Sequence, residues 1–239
     1  MPAEGDPVMA TFSVLLVTAA PPGQPGDAGG AFVKIDSREA LLRSAELFVN
    51  RENVRQIQLC FLPEMLEQGK RKFGGHLSFS GVKIISGGPA WIDQFAAAAA
   101  NVPSDCTHVL VHDAARPAVS YLDIEAVMSE AEKHPAVWMT APVPTRLAEV
   151  DASGKAVAFA PAERFLQVLT PQAFARQRFL EIARSRQEPP ASSVRLLKGS
   201  PLNVRVGSSA DASLVRAMIG LLPKPKVKGP ASPFEEAQW

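Results

Sequence analysis

Apolar residues along this chain come in two alternating textures. Phe12–Thr18 (FSVLLVT), Gln56–Phe61, Val82–Ser86 and Thr107–His112 are short runs with few polar interruptions, as expected of strands in a parallel sheet covered on both faces. Between them, residues 37–49, 63–72 and 89–101 have helical character. In the first of these, Leu41, Leu42, Ala45, Phe48 and Val49 recur at the spacing of one buried helix face. Pro63 and Pro89 fall where a first helical turn tolerates a missing N–H. Strand–helix alternation of this kind predicts βαβ units. The same reading predicts a helix over 121–133 and a strand over 136–141. A hairpin follows, from 146–150 and 156–160 around the turn DASGK at 151–155, then a strand over 165–169 and a helix over 171–186 capped by Thr170. Strands over 194–198 and 202–206 and a helix over 208–222 complete the pattern. The predicted architecture is α/β: one doubly wound, mostly parallel sheet over residues 11–222, with an inserted β-hairpin arm at about 143–160. Residues 1–10 and 223–239 are expected to be disordered ends.

Composition narrows the function. Lys and Arg total 25 against 24 Asp and Glu, a net charge of +1, so no general pull toward nucleic acid or an anionic membrane is expected. The two cysteines, Cys60 and Cys106, lie inside apolar runs. They exclude a disulfide framework and a cysteine-based zinc site, and suit a reducing, cytoplasmic setting. No apolar run approaches the roughly 20 residues of a bilayer span, and residues 1–10 are acidic, unlike a signal peptide. His76, His108 and His134 lack any ligand spacing, so a metal held by histidines is not expected. The 21 prolines exceed the usual share of about 5%; they gather at 2–7, 21–25, 142–144, 189–190 and 223–233, marking ends and loops.

In open parallel sheets, ligands bind beyond the carboxyl ends of the strands, where the strand order reverses. Four loops therefore carry interest: 19–31, 86–90, 112–118 and 203–207. The first is rich in Gly and Pro, which lets backbone N–H groups approach phosphates; a flexible connector is the alternative, since neither a G-x-G-x-x-G nor a G-K-[ST] signature is present. The third reads His112-Asp113-Ala114-Ala115-Arg116-Pro117. A carboxylate at a strand terminus can orient a hydroxyl or hold a metal, and an arginine three residues on can fork onto a phosphate. The alternative is that Asp113 caps a turn and pairs with Arg116 as a surface ion pair.

VLVHDAARP at 109–117, TPQAF at 170–174 and SPLNVRV at 200–206 resemble, in this order, the methylerythritol phosphate cytidylyltransferases of isoprenoid synthesis. That family joins CTP to methylerythritol phosphate and releases pyrophosphate. The resemblance implies a Rossmann-like nucleotidyltransferase fold, a homodimer formed through the arm, and Mg²⁺ bound through the nucleotide phosphates. It implies catalytic roles for Asp113 and Arg205, substrate binding by Arg116, Thr170 and Arg146, and nucleotide binding along Ala19, Ala20, Gly23, Gly87, Gly88 and Ala115. Several positions depart from the family pattern. Residues 19–33 hold no Lys or Arg; Gly30 stands where the family has a lysine, and Lys34 is the nearest substitute. The family's G-G-x-x-R-x-x-S is here Gly87 to Gln94, with Trp91 for arginine and Gln94 for serine, and no Lys or Arg occurs from Ile84 to Ala115. The arm motif D-T-x-K becomes Thr145 to Ala148, an arm arginine aligns with Ala162, two residues from Arg164, and Arg205 replaces a lysine. Phosphoryl-type transfer rests on positioning and charge neutralisation, with about 10³–10⁵ in rate from one such cation. Two readings stay open: a divergent cytidylyltransferase acting on methylerythritol phosphate or a similar polyol phosphate, or an impaired paralogue that binds a nucleotide or sugar phosphate or serves as a dimerisation partner.

Overall fold

Every side chain of β1 (Phe12–Val17) is buried, because the strand lies inside a sheet with helices on both faces. The computed structural model describes residues 10–23 and 28–222. The expected disordered ends lie outside these residues, except for Ala10, which is buried. β1 runs parallel to β2 (Val54–Phe61) on one side and to β4 (His108–Asp113) on the other. With β3 (Val82–Ser86), β5 (Ala136–Pro142), β8 (Leu166–Ala175) and β9 (Arg195–Lys198), they form a seven-stranded sheet in the order β3-β2-β1-β4-β8-β5-β9. Only β8 runs antiparallel to its neighbours. The predicted doubly wound, mostly parallel α/β fold is thus observed. Its strand order reverses between β1 and β4, which opens a crevice at their carboxyl ends.

Side-chain alternation sorts the core into two layers. Phe12, Val14, Leu16 and Leu110 face α1 (Ala40–Glu46), α2 (Pro63–Phe79) and α4 (Tyr121–Ala131), meeting Leu41, Phe48, Phe73, Leu77, Ile124 and Val127. Leu15, Val17, Val109 and Val111 face α3 (Trp91–Ala99) and α5 (Arg176–Ser185), meeting Trp91, Phe95, Phe179 and Ile182. A smaller cluster ties α6 (Ala212–Leu221) to the loops above the sheet through Ile35, Ala118, Val206, Ala212 and Val215. No helix among the described residues is long and apolar enough to cross a membrane.

Several local expectations are corrected. The helix expected over 171–186 begins only at Arg176; Pro171–Ala175 belong to β8. The β5–β8 register shifts between Trp138 and Thr140, and β4 pairs only from Gln172 onward. Pro171 therefore sits where neither neighbour needs its missing N–H. Residues 202–206 form no strand; the Val206 N–H donates to the Ala115 carbonyl (2.8 Å), so the segment crosses the loop after β4. Pro89 precedes the N-cap of α3 and lies outside the helix. α2 runs on to Phe79 because Phe73 and Leu77 continue its buried face through Gly74 and Gly75. α1 starts late, at Ala40, because its amide is taken by the Val33 carbonyl. The predicted hairpin is present as β6 (Leu147–Val150) and β7 (Ala156–Ala160), a separate antiparallel pair with Val150, Val157 and Phe159 exposed.

Candidate active site

Asp113 ends β4 at the point of strand reversal, and its carboxylate has no exposure to solvent. Oδ1 accepts the Ala115 N–H (2.9 Å), and Oδ2 accepts Arg205 Nε (2.8 Å) and lies 3.7 Å from Arg116 Nε. The turn expected at Asp113 is therefore real, but its ion pair with Arg116 is buried rather than at the surface, and the closer partner is Arg205. Burial lifts the Asp113 carboxyl above its ordinary pKa, against the pull of both guanidiniums. Two arginines on one carboxylate leave a net positive charge beside a cavity of about 580 Å³, lined among others by Gly23, Arg116, Gln167, Arg205 and Asp211. The two guanidiniums offer a fork to an anionic ligand, and the Asp211 carboxylate in the same wall offsets part of their charge.

Three segments far apart in sequence hold the arginines. Ala114 N–H bonds the Val17 carbonyl (2.8 Å), fastening the loop after β4 to the end of β1. Arg116 Nη1 donates to the Asn203 carbonyl (2.7 Å), while Asn203 Nδ2 donates to the Thr170 carbonyl (2.6 Å). The Thr170 hydroxyl accepts the Asp113 N–H (3.1 Å) and contacts His112 Nδ1 (3.0 Å), whose Nε2 meets the Arg116 carbonyl (2.9 Å). The expected site residues Asp113, Arg116, Thr170 and Arg205 thus come together. Asn203 and His112 were not among them. Both stand inside the quoted motifs, each next to an apolar residue of an otherwise extended stretch.

The nucleotide-binding candidates spread over adjoining loops. Gly23 lines the cavity, Ala115 and Ala19 are buried and Ala20 is half-buried. Gln94, also fully buried, links two of these loops: Oε1 accepts the Thr18 N–H (3.0 Å) and Nε2 donates to the Gly88 carbonyl (3.4 Å). Gly87 is pressed against Cys60, so that a Cβ there would stand 2.7 Å from its sulfur. At Gly30, a Cβ would overlap the Val206 carbonyl oxygen, so no side chain fits without moving that backbone. Lys34 is exposed and pairs through its backbone with Glu39; Arg43 is engaged by Asp36 and Glu46. Arg146 lines a different depression of about 640 Å³ at the base of the hairpin, with its guanidinium over the Phe159 ring. Among the described residues, no group of three His, Cys, Asp or Glu is arranged to hold a metal.

A family model described as 2-C-methyl-D-erythritol 4-phosphate cytidylyltransferase matches residues 14–220. The chain belongs to this family. A relative of that name from Frankia casuarinae is 32% identical over 173 residues, 71% of this chain and 63% of that protein. The first of these relatives is thus matched over less than two thirds of its length. One from Clostridioides difficile is 23% identical over 225 residues, 88% of this chain and 94% of that protein. The fold matches the solved cytidylyltransferase of Thermus thermophilus with a TM-score of 0.67 at 22% identity, covering 87% of this chain and 98% of that one. The structure of 4-diphosphocytidyl-2C-methyl-D-erythritol synthase from Anaerococcus prevotii matches with a TM-score of 0.71 at 13% identity, covering 88% and 96%.

Complete burial drives the His112 pKa down to about 3, so the folded state refuses a proton that the unfolded chain accepts near 6.5. Between those values the unfolded state binds more protons, so stability rises with pH and is lost as pH falls. The expected slope is on the order of 1 kcal/mol per pH unit. Denaturant titrations of the wild type and His112→Phe between pH 7 and 5 check this: the difference in stability between them should shrink toward pH 5. A difference that stays constant would mean that His112 does not titrate in this way.

Proposed function

We propose that the chain is a cytidylyltransferase that transfers CMP from CTP to methylerythritol phosphate or a similar polyol phosphate, serving isoprenoid precursor synthesis in the cytoplasm. The observation that carries this reading is the Asp113–Arg116–Arg205 group at the strand-reversal crevice, net positive and open to a cavity of substrate size. Arg116 and Arg205 neutralise the phosphate of the polyol, and Asp113 fixes Arg205 in place. A phosphate oxygen of the polyol then attacks the α-phosphorus of CTP; the new P–O bond forms as the bond to the β-phosphate breaks, and pyrophosphate leaves. Backbone groups from Ala19 to Gly23 and at Gly87 and Gly88 face the nucleotide, with Ala115 holding the wall behind them through its N–H on Asp113 and its carbonyl on Val206. Mg²⁺ bound through the nucleotide phosphates would supply charge neutralisation there, while Asp113 stays committed to the arginines.

The test is pyrophosphate release from CTP and methylerythritol phosphate, with an intact homologue run alongside. Steady release supports the proposal. Absence of release at high enzyme concentration, while the homologue turns over, sinks it, and ligand binding without release would then make the chain a binding protein.

The proposal includes a homodimer through the hairpin, supported by the exposure of Val157 and Phe159 at 58% and 63%, apolar area of the kind that marks an interface. Light scattering is expected to give twice the chain mass of 25.5 kDa, and Phe159→Glu to give the single-chain value. A wild-type monomer would remove the dimer from the reading.

A further inference from the structure

The buried bonds around β4 form a single directed chain. The Asp113 N–H can only donate, so it occupies a lone pair of the Thr170 hydroxyl (3.1 Å). That hydroxyl still has a proton to place, and His112 Nδ1 stands 3.0 Å away as its acceptor. An unprotonated Nδ1 puts the imidazole proton on Nε2, which faces the Arg116 carbonyl at 2.9 Å, an atom that can only accept. Every donor thus meets an acceptor. Asn203 ties the same two residues a second time, through Thr170 O and Arg116 Nη1, and the Phe48 ring closes the edge of the imidazole (5.4 Å). His112 is fully buried and does not line the cavity.

We propose that His112 is a positioning residue: it holds the Arg116 main chain and, through Thr170, the Asp113 amide, so that the Arg116 guanidinium is presented to the substrate phosphate. The inference rests on the reading of Arg116 as the group that binds that phosphate. Burial keeps the imidazole neutral, with its pKa near 3, so the same tautomer persists across the working pH range. Asn203 restrains the guanidinium end of Arg116 while His112 restrains its carbonyl end, which makes the two residues complementary rather than redundant.

Two amide substitutions separate the halves of the chain. His112→Gln can set its amide nitrogen near the place of Nε2 and keep the bond to the Arg116 carbonyl. His112→Asn can set its oxygen near Nδ1 and keep only the bond to Thr170. His112→Phe keeps the ring and loses both. Calorimetry with methylerythritol phosphate as probe is expected to show about tenfold weaker binding for His112→Phe and His112→Asn, the size of one lost hydrogen bond, with His112→Gln close to wild type. Nitrogen NMR of the ligand-free wild type is expected to show His112 protonated at Nε2 and bare at Nδ1 from pH 8 to 5. The Arg116 Nε–H resonance should move in His112→Phe and stay in His112→Gln. Wild-type affinity in His112→Phe, a proton on Nδ1, or an unmoved Arg116 resonance would overturn the proposal. If the wild type binds no methylerythritol phosphate, the functional reading fails, and the two NMR observations decide the positioning role by themselves.

Discussion

Asp113→Ala is expected to lower the melting temperature by on the order of 10 °C. The carboxylate is wholly buried and accepts from Arg205 Nε and the Ala115 N–H, with Arg116 also in ion-pair range. Removing it leaves two guanidiniums, with side chains only 5% and 7% exposed, facing each other without the charge that reconciles them. Breaking a buried pair by deleting one partner costs about 3–5 kcal/mol, and in a chain of this size each kcal/mol shifts the melting point by about 2–4 °C. Asp113→Asn, which can still accept the Ala115 N–H, should fall between the two. Adding Arg205→Met to Asp113→Ala should recover part of the loss, because one of the two mutually repelling guanidiniums is gone while Arg116 stays anchored on Asn203. Calorimetric melting of wild type, Asp113→Ala, Arg205→Met and the double variant checks this as a double-mutant cycle, with Asp113→Asn measured alongside. An Asp113→Ala protein that melts within a degree or two of wild type would mean that this ion cluster does not hold the loops together.

How much of this was legible in the sequence follows from which contacts are local. The buried run Phe12–Val17 and its relatives announced the parallel sheet, since a near-continuous apolar run is a property of neighbouring residues. Asp113 and Arg116 were likewise readable, being three residues apart at the end of a strand. Thr170-Pro171 misled for the same reason: locally it reads as a helix cap followed by a first-turn proline. Only the irregular pairing with β5, a strand more than 30 residues upstream, allows that proline inside a strand: Trp138 to Thr140 span Gln172 to Val168. Residues 202–206 look extended and apolar, yet Val206 bonds the loop after β4, and Asn203 and Val204 bond the residues just before them, rather than a strand of the sheet. Arg205 reached the candidate site through the family resemblance, and its place beside Asp113 comes from the structure alone. Asn203 acts through bonds to segments distant in sequence, and so does His112 toward Thr170, which no spacing rule exposes; its bond to the Arg116 carbonyl spans four residues.

Gly30 is the position where the cation expected from the resemblance is missing, and Gly30→Lys is expected not to restore it. Within the segment Ala28–Phe32, Gly30 packs directly against Val206, and the space a Cβ would need there is filled by the Val206 carbonyl, with the Ala115 Cβ 3.4 Å away. That carbonyl is backbone, and Val206 is itself fixed by its N–H bond to Ala115 and by the cluster under α6. A side chain at position 30 must therefore push the 203–206 segment outward and draw Arg205 away from Asp113. Overpacking of this kind costs about 1–3 kcal/mol, and here the displaced backbone carries a proposed catalytic residue. Gly30→Ala and Gly30→Lys should both melt several degrees below wild type, and both should weaken methylerythritol phosphate binding, the alanine variant showing that the Cβ rather than the charge is responsible. A Gly30→Lys protein that kept wild-type stability and released pyrophosphate faster would show that the loop can yield. The expected result ties the absence of a loop cation to close packing: in this chain the space beside Val206 holds Arg205 against Asp113 and has no room for a lysine.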